Sequence, residues 1–351
     1  MNGRRFVVVV LALSLAAPAR AGTFAWALTS ENDAIFRRDE YYTNGFEISL
    51  INEPDDVPGF VASGLDGLCG LFGSSCGPEL SGSLRLIPFG NMMFTPNDIR
   101  ASAFQPNDRP YAGWTYLGAV REMVDKDGAQ RDRLRTFDLR VGIIGPHSGT
   151  EQIQDETHRI LNGIINVVQP QGWDNQIGTR AGINFRYEDA RAIPLSATRP
   201  LHFVPHVGLA LGNVYRYVNA GGFIVFGAGS RPFNSVTSHT QMEPIVPHFD
   251  NGGANHRDDG AAGDEHASAI VTETSYFAGI DARAMGYNLF IEGKEGSNIE
   301  MKHFVYDYIL GARHVTASGL ILSASLVQRS EEFYGSGISR FMSITIGHYV
   351  N

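Results

Sequence analysis

Cysteine is almost missing from this chain: 351 residues contain two, Cys69 and Cys76, both within GLCGLFGSSCG. Two thiols make a poor metal site, and in an exported chain a local Cys69–Cys76 disulfide is the expectation. Positive charge is also short, with 28 Lys and Arg against 37 Asp and Glu and a formal net charge of −9. That balance argues against a nucleic-acid partner, which usually requires a basic face. Beyond the first residues no apolar run approaches the roughly 18 residues of a spanning helix, so helical membrane proteins are excluded. No HExxH occurs, and the histidines of 239–266 sit in a Gly/Asp-rich stretch without metal spacing. GSSCG at 73–77 formally matches a nucleophile elbow, but no strand–turn–helix surrounds it.

What the chain does have begins at its start. MNGRRFVVVVLALSLAAPARAG places Arg4 and Arg5 before an apolar run from Phe6 to Ala17, then Ala19-Arg20-Ala21. A basic start, a short apolar core and a small-x-small site describe a cleavable secretory signal peptide. Residues 1–21 are therefore expected to be removed, and 22–351 to form the mature domain.

That domain is rich in glycine (40 residues), with 21 phenylalanines and 13 tyrosines, a mixture suited to β-structure with many turns and aromatic girdles. Strand-like alternation recurs. In GFEISLIN, Phe46, Ile48 and Leu50 oppose Glu47 and Ser49; in RTFDLRVGI, Phe137, Leu139 and Val141 oppose Thr136, Asp138 and Arg140. A soluble sandwich would send those charges to water, whereas a transmembrane barrel would send them into its lumen and the apolar face to lipid. Export, composition and segments of about ten residues favour the barrel. The expected fold is all-β: a closed antiparallel transmembrane β-barrel. Its twelve strands fall near 23–31, 43–53, 83–94, 111–124, 133–144, 180–193, 200–212, 220–228, 272–286, 303–315, 319–331 and 338–350. An even count puts both termini on the periplasmic side, along with the long segments 54–82 and 229–271.

The same parity gathers the chemistry. The connections after strands one, three and five share the outer rim. They bring together SENDAIFRRDEYYTNG, TPNDIRASAFQPNDRPY and GPHSGTEQIQDETHRILNGIINVV. In the last of these, Ile153, Ile160, Leu161, Ile164 and Val168 recur at helical spacing, predicting an amphipathic helix in an outer loop. Gln154 and His158 stack at i, i+4 on a face away from the Ile153/Ile160/Ile164 stripe. Histidine is the commonest hydrolytic base because its ordinary pKa lies near working pH, though a helix histidine is more often a solvated one. Asn32 and Asp33 at a strand end are ordinary turn residues. Their oxygens would also suit Ca²⁺, a hard cation, with Asp33 the best ligand and Glu31 or Asn32 as helpers. Asn32 or Thr43 could instead donate to a developing oxyanion. Arg100, Arg109 and Gln154 are the candidates for substrate binding.

With ENDAIF (Glu31 to Phe36), YTNGF (Tyr42 to Phe46), NDRPYAGW (Asn107 to Trp114) and IIGPHSGTEQIQDETHRI (Ile143 to Ile160) in view, the sequence resembles the lipid A 3'-O-deacylase family of Gram-negative outer-membrane β-barrels. The resemblance covers essentially the whole mature chain. It implies a twelve-stranded barrel, an active site between wall and outer-loop helix, and Ca²⁺-dependent removal of the ester-linked 3' acyl chains of lipid A. It implies His158 as catalytic base, Asn32 and Asp33 as the family's Asn-Asp pair, and Thr43 as its Y-T-x-G threonine. The family pattern also includes an adjacent Lys-Arg pair between strands three and four, where this chain has only Arg100 and Arg109. The implied partner is lipopolysaccharide in the outer leaflet, met by a monomer. A phospholipase-type lipid esterase and a non-enzymatic pore or adhesion barrel are the rival readings.

Overall fold

A computed structural model of the chain describes residues 23–33, 41–52, 81–125, 132–162, 168–228 and 272–350, with a few isolated positions besides. The expected signal peptide and the Cys69–Cys76 pair lie outside the described residues. Twelve long strands run in sequence: β1 (Thr23–Asn32), β2 (Tyr41–Asn52), β3 (Ser81–Thr95), β4 (Ala112–Asp125), β5 (Arg133–Ile144), β6 (Arg180–Arg191), β8 (Leu201–Gly212), β9 (Tyr215–Phe226), β10 (Glu273–Asn288), β11 (Phe304–Val315), β12 (Leu320–Arg329) and β13 (Ser339–Tyr349). A two-residue β7 (Ile193–Pro194) pairs with β8. Every neighbour is antiparallel, and β1 pairs with β13 from Ala25↔Tyr349 to Asn32↔Met342, closing the sheet into a barrel. All twelve expected strands are present. The largest displacement is at β9, which starts at Tyr215, not near 220, because Asn213 and Val214 suffice to connect it to β8.

The direction of the alternation decides what kind of barrel this is. Glu47, Arg85, Asp138, Arg140, Arg186, Asp281, Arg283, Asp307 and Arg329 are all buried, while Leu117, Val207, Val218 and Leu310 are 58–62% exposed on the opposite face. Charged residues inward and aliphatic residues outward is the reverse of a water-soluble sheet and fits a lipid-facing wall. The interior charges are paired. Arg140 bonds Asp138 and reaches Glu47 Oε2 at 3.0 Å, and Arg283 reaches Asp307 Oδ1 at 2.9 Å. His206 Nε2 lies 2.9 Å from Asp281 Oδ1. Buried ions are tolerable only when so paired.

At the end where β1 finishes, aromatic rings join the charges. A four-residue helix, α2 (Leu289–Glu292), capped by the Asn288 side chain, folds into the barrel mouth. Its Phe290 stacks on Phe94 at 4.2 Å and meets Tyr215 edge-on at 5.5 Å, with Trp114 and Tyr116 beside it. These rings come from β3, β4, β9 and α2, so they span the lumen from wall to wall. Pro88 sits where the β2–β3 and β3–β4 registers both slip, a bulge that spares the ladder a missing donor.

Leu310→Arg, at the middle of β11 on the exposed face, should cost roughly 2–4 kcal/mol of stability in bilayers. Urea unfolding in phosphatidylcholine vesicles measures this; an unchanged midpoint would contradict a lipid-facing wall.

Candidate functional site

β5 leaves the wall through a short 3-10 turn, Pro146–Ser148, and then enters helix α1 (Thr150–Leu161). Gly149 precedes α1 at φ 72°, a left-handed conformation that glycine adopts without strain. The helix then lies against the outside of the barrel, on β3 and β4. A cluster of short polar side chains fastens its first turn. Asn91 Nδ2 donates to Thr115 Oγ1 and to Thr150 Oγ1, both at 2.8 Å, and Thr115 Oγ1 donates to the Ser148 carbonyl at 2.7 Å. Gly113 lies directly beneath: a Cβ there would overlap the side chains of Thr150 and Ser148. The YAGW motif is thereby explained. Tyr111 buttresses the loop, Trp114 fills the lumen, and Gly113 between them is the seat of the helix.

α1 turns its polar line, not its apolar stripe, to the wall. Thr150, Gln154 and His158, at i, i+4 and i+8, are the buried line, whereas Ile160 is 57% exposed. The polar edge goes inward because the wall beneath it is polar, with Asn91, Thr115 and, further along, Thr95. Among the described stripe residues, Ile153 and Val168 pack against the small core of Met93, Ile99, Tyr111 and Trp173. Gln154 Oε1 accepts from Trp173 Nε1 at 2.7 Å, while its buried Nε2 has no hydrogen-bond partner among the described residues. His158 Nδ1 lies 2.7 Å from the Val168 carbonyl oxygen. A carbonyl only accepts, so Nδ1 carries the hydrogen and the neutral ring keeps its lone pair on Nε2.

The other candidates approach the same rim from β1 and β2. Asn32 pairs with Asn44 and Asn44 with Met93, so this row shares the outer face on which α1 rests. A bulge between Tyr42 and Asn44 carries Thr43, whose Oγ1 lies 2.7 Å from Thr95 Oγ1. Asp33, buried one residue past β1, donates its backbone N–H to the Thr43 carbonyl at 3.4 Å. The chain enters β2 through Tyr41 at φ 66°, held by the Phe333 ring at 5.7 Å and by the Gly337 N–H, which donates to its hydroxyl at 3.0 Å. A non-glycine residue in that region stores strain, two positions from Thr43.

Two expectations need correction. Glu31 points into the lumen, since neighbours along a strand face opposite sides, and its Oε2 accepts from Tyr42 Oη at 2.7 Å. It is therefore no helper to a cation held beside Asn32. Arg109 does not reach the rim surface: it is fully buried, 3.0 Å from Glu332 Oε2 and stacked over Phe94 at 5.0 Å. Burial alone would raise the Glu332 carboxyl, but Arg109, Arg329 and Arg283 together hold it below the ordinary range. Arg100 is exposed on the loop after β3, as expected. Along α1, burial first and then the charges of Asp155 and Asp174 push Glu151 upward, and burial raises Asp155 against the opposing pull of His158.

Sequence reasoning missed Asn91, Thr115, Thr150 and Trp173. A signal existed for the first two, because a polar residue on the lipid side of a strand asks for a cover.

The full extent of the chain matches a known pattern. The family model described as "Outer membrane protein LpxR" matches residues 6–350. The chain belongs to this family. Among solved structures it is similar to LpxR from Salmonella typhimurium, with a TM-score of 0.67 at 18% identity, covering 93% of this chain and 100% of that one. No sequence among the curated proteins matches it. Membership and fold together make this an outer-membrane barrel of the LpxR kind.

Among the described residues no three His, Cys, Asp or Glu side chains come together as a metal site. Asp33 and Asn32 carry carboxylate and amide oxygens, donors of the kind a calcium ion accepts.

Two substitutions test this geometry. Gly113→Val should lift α1 from the wall, seen as faster protease cleavage within 150–162 while the barrel stays heat-modifiable. Arg109→Ala should cost about 1.5–3 kcal/mol in unfolding experiments, because Glu332 loses its 3.0 Å partner and keeps only the more distant Arg329 and Arg283; unaltered stability with weakened substrate binding would reinstate Arg109 as a headgroup ligand.

Proposed function

We propose that the protein is a lipid A deacylase, hydrolysing the ester-linked 3' acyl chains of lipopolysaccharide at the cleft between α1 and the barrel wall. The observation that carries this reading is the position of His158: buried under α1 on the outer side of the wall, with its ring oriented by the Val168 carbonyl. A site on that side is reached from within the membrane, not through the lumen, which suits a substrate resident in the outer leaflet. The aromatic rings across the mouth speak against the pore reading.

In this reading His158 Nε2 takes a proton from water as its oxygen attacks the ester carbonyl. The tetrahedral oxyanion meets donors from Asn32 Nδ2 or Thr43 Oγ1, and the buried Gln154 Nε2 supplies a further donor to the bound ester. Collapse breaks the bond to the sugar oxygen, and the imidazolium returns its proton there, releasing a fatty acid and a sugar hydroxyl. A calcium ion, where Asp33 and Asn32 would hold one, supplies Lewis-acid polarisation of the carbonyl. Export follows the N-terminal signal, with the mature chain beginning near Gly22.

His158→Ala should leave a folded barrel and lower fatty-acid release from purified lipopolysaccharide by roughly 10²–10⁴-fold. Mass spectra of lipid A from cells expressing either form read the loss of 3' chains directly. Near-normal release by the variant would end the assignment, and release from phospholipid alone would favour the esterase rival.

A further inference from the structure

One cavity in this region is not used by the reaction as described above. It has a volume of about 400 Å³ and lies between the outer flank of α1 and the segment after it, lined by Asp155, Arg159, Asn162, Gln169, Pro170 and Gln171. Asp155, Arg159 and Asn162 recur at i, i+4 and i+7, so they form one stripe, turned about 100° from the Gln154/His158 line. Opposite them, the Gln171 backbone N–H donates to the Ile99 carbonyl at 2.9 Å and its side chain donates to the Gln169 carbonyl at 3.3 Å. Gln169 immediately follows Val168, the residue that orients His158. Asp155 and His158 stand at i, i+3 on α1, so the base and this pocket are neighbours.

We propose that this cavity is a sugar subsite, binding the hydroxyl- and amide-bearing hexosamine ring of the substrate's headgroup. The inference rests on the deacylase reading for its role, but the binding itself is independent of catalysis. Its size falls at the lower end of the roughly 300–1,000 Å³ of small-ligand pockets. Its lining pairs acceptors with donors: one carboxylate, three carboxamides and the Arg159 guanidinium, whose Nε and Nη2 are held by Glu156 and whose Nη1 faces outward from that pair, suit vicinal hydroxyls and an N-acyl group. A bare phosphate fits less well, since the pocket carries Asp155 and lies at a helix C-terminus, where the backbone dipole disfavours anions. With Arg109 committed to Glu332 inside the barrel, the ring must be gripped elsewhere, and this pocket adjoins the base. Holding the ring here sets which ester oxygen stands before His158, so the subsite determines acyl position and leaves the bond-making step unchanged.

The test uses the full-length protein in detergent micelles. Binding of the fully deacylated glucosamine disaccharide is measured by calorimetry for the wild type and for Gln169→Ala/Gln171→Ala, a surface pair whose loss spares the fold. Removing two carboxamides should weaken binding roughly tenfold. On intact lipid A the same variant should raise KM by a similar factor with kcat nearly constant, and on a sugar-free fatty-acid ester it should behave as wild type. Equal disaccharide affinity in both proteins, or equal losses on both substrates, would overturn the subsite. Inorganic phosphate binding more tightly than the disaccharide, and weakened by Arg159→Ala, would overturn it in favour of an anion site. Absence of any deacylation with the calorimetric difference intact would defeat the deacylase reading and leave the subsite standing.

Discussion

The pairing of β1 with β13 is the contact on which the rest depends. In a bilayer every backbone N–H and C=O must find a partner within the protein, and a sheet with two open edges has none for its outermost rows. The eight paired positions from Ala25↔Tyr349 to Asn32↔Met342 remove both edges at once. Buried Thr29 and Thr345 hydrogen-bond across the seam at 2.9 Å. Closure also fixes height: with the register of β1 set, Asn32 and Asp33 can only stand at the rim where α1 rests.

Given that ring, the two faces of each strand divide the remaining work. The inward face carries charge, neutralised in linked pairs such as Asp138 with Arg140 and Arg186, or Asp307 with Arg283 and Arg329. The outward face carries aliphatic residues, except under α1. There the wall turns polar, and Asn91 and Thr115 anchor the helix where a lipid contact would otherwise be expected. The site is a local exception to the barrel's own rule, and the helix is what makes that exception tolerable.

Much of this was legible in the sequence, because alternation with a period of two reports a strand's faces directly. Parity along an up-and-down chain then assigns each connection to one end. The twelve strands, the helix after β5 and the shared rim of Asn32, Thr43 and His158 follow from those two rules. What the pattern could not supply was contact across the wall. The apolar stripe alone does not say which face seats α1; the wall's polar patch, assembled from β3 and β4, turns Gln154 and His158 inward. Arg109 and Glu31 look like rim residues by position. Only the placement of Glu332 and Tyr42, distant in sequence for the first and across a bulge for the second, shows that they are internal ties.

The ring of aromatics around Phe290 has a consequence for the cell that carries the protein. A cylinder of twelve strands is wide enough to leak, and an outer membrane owes its resistance to detergents and antibiotics to not leaking. By setting stacked rings across the cylinder and its polar patch on the outer flank, the molecule meets the surrounding lipid from its side and not through its bore.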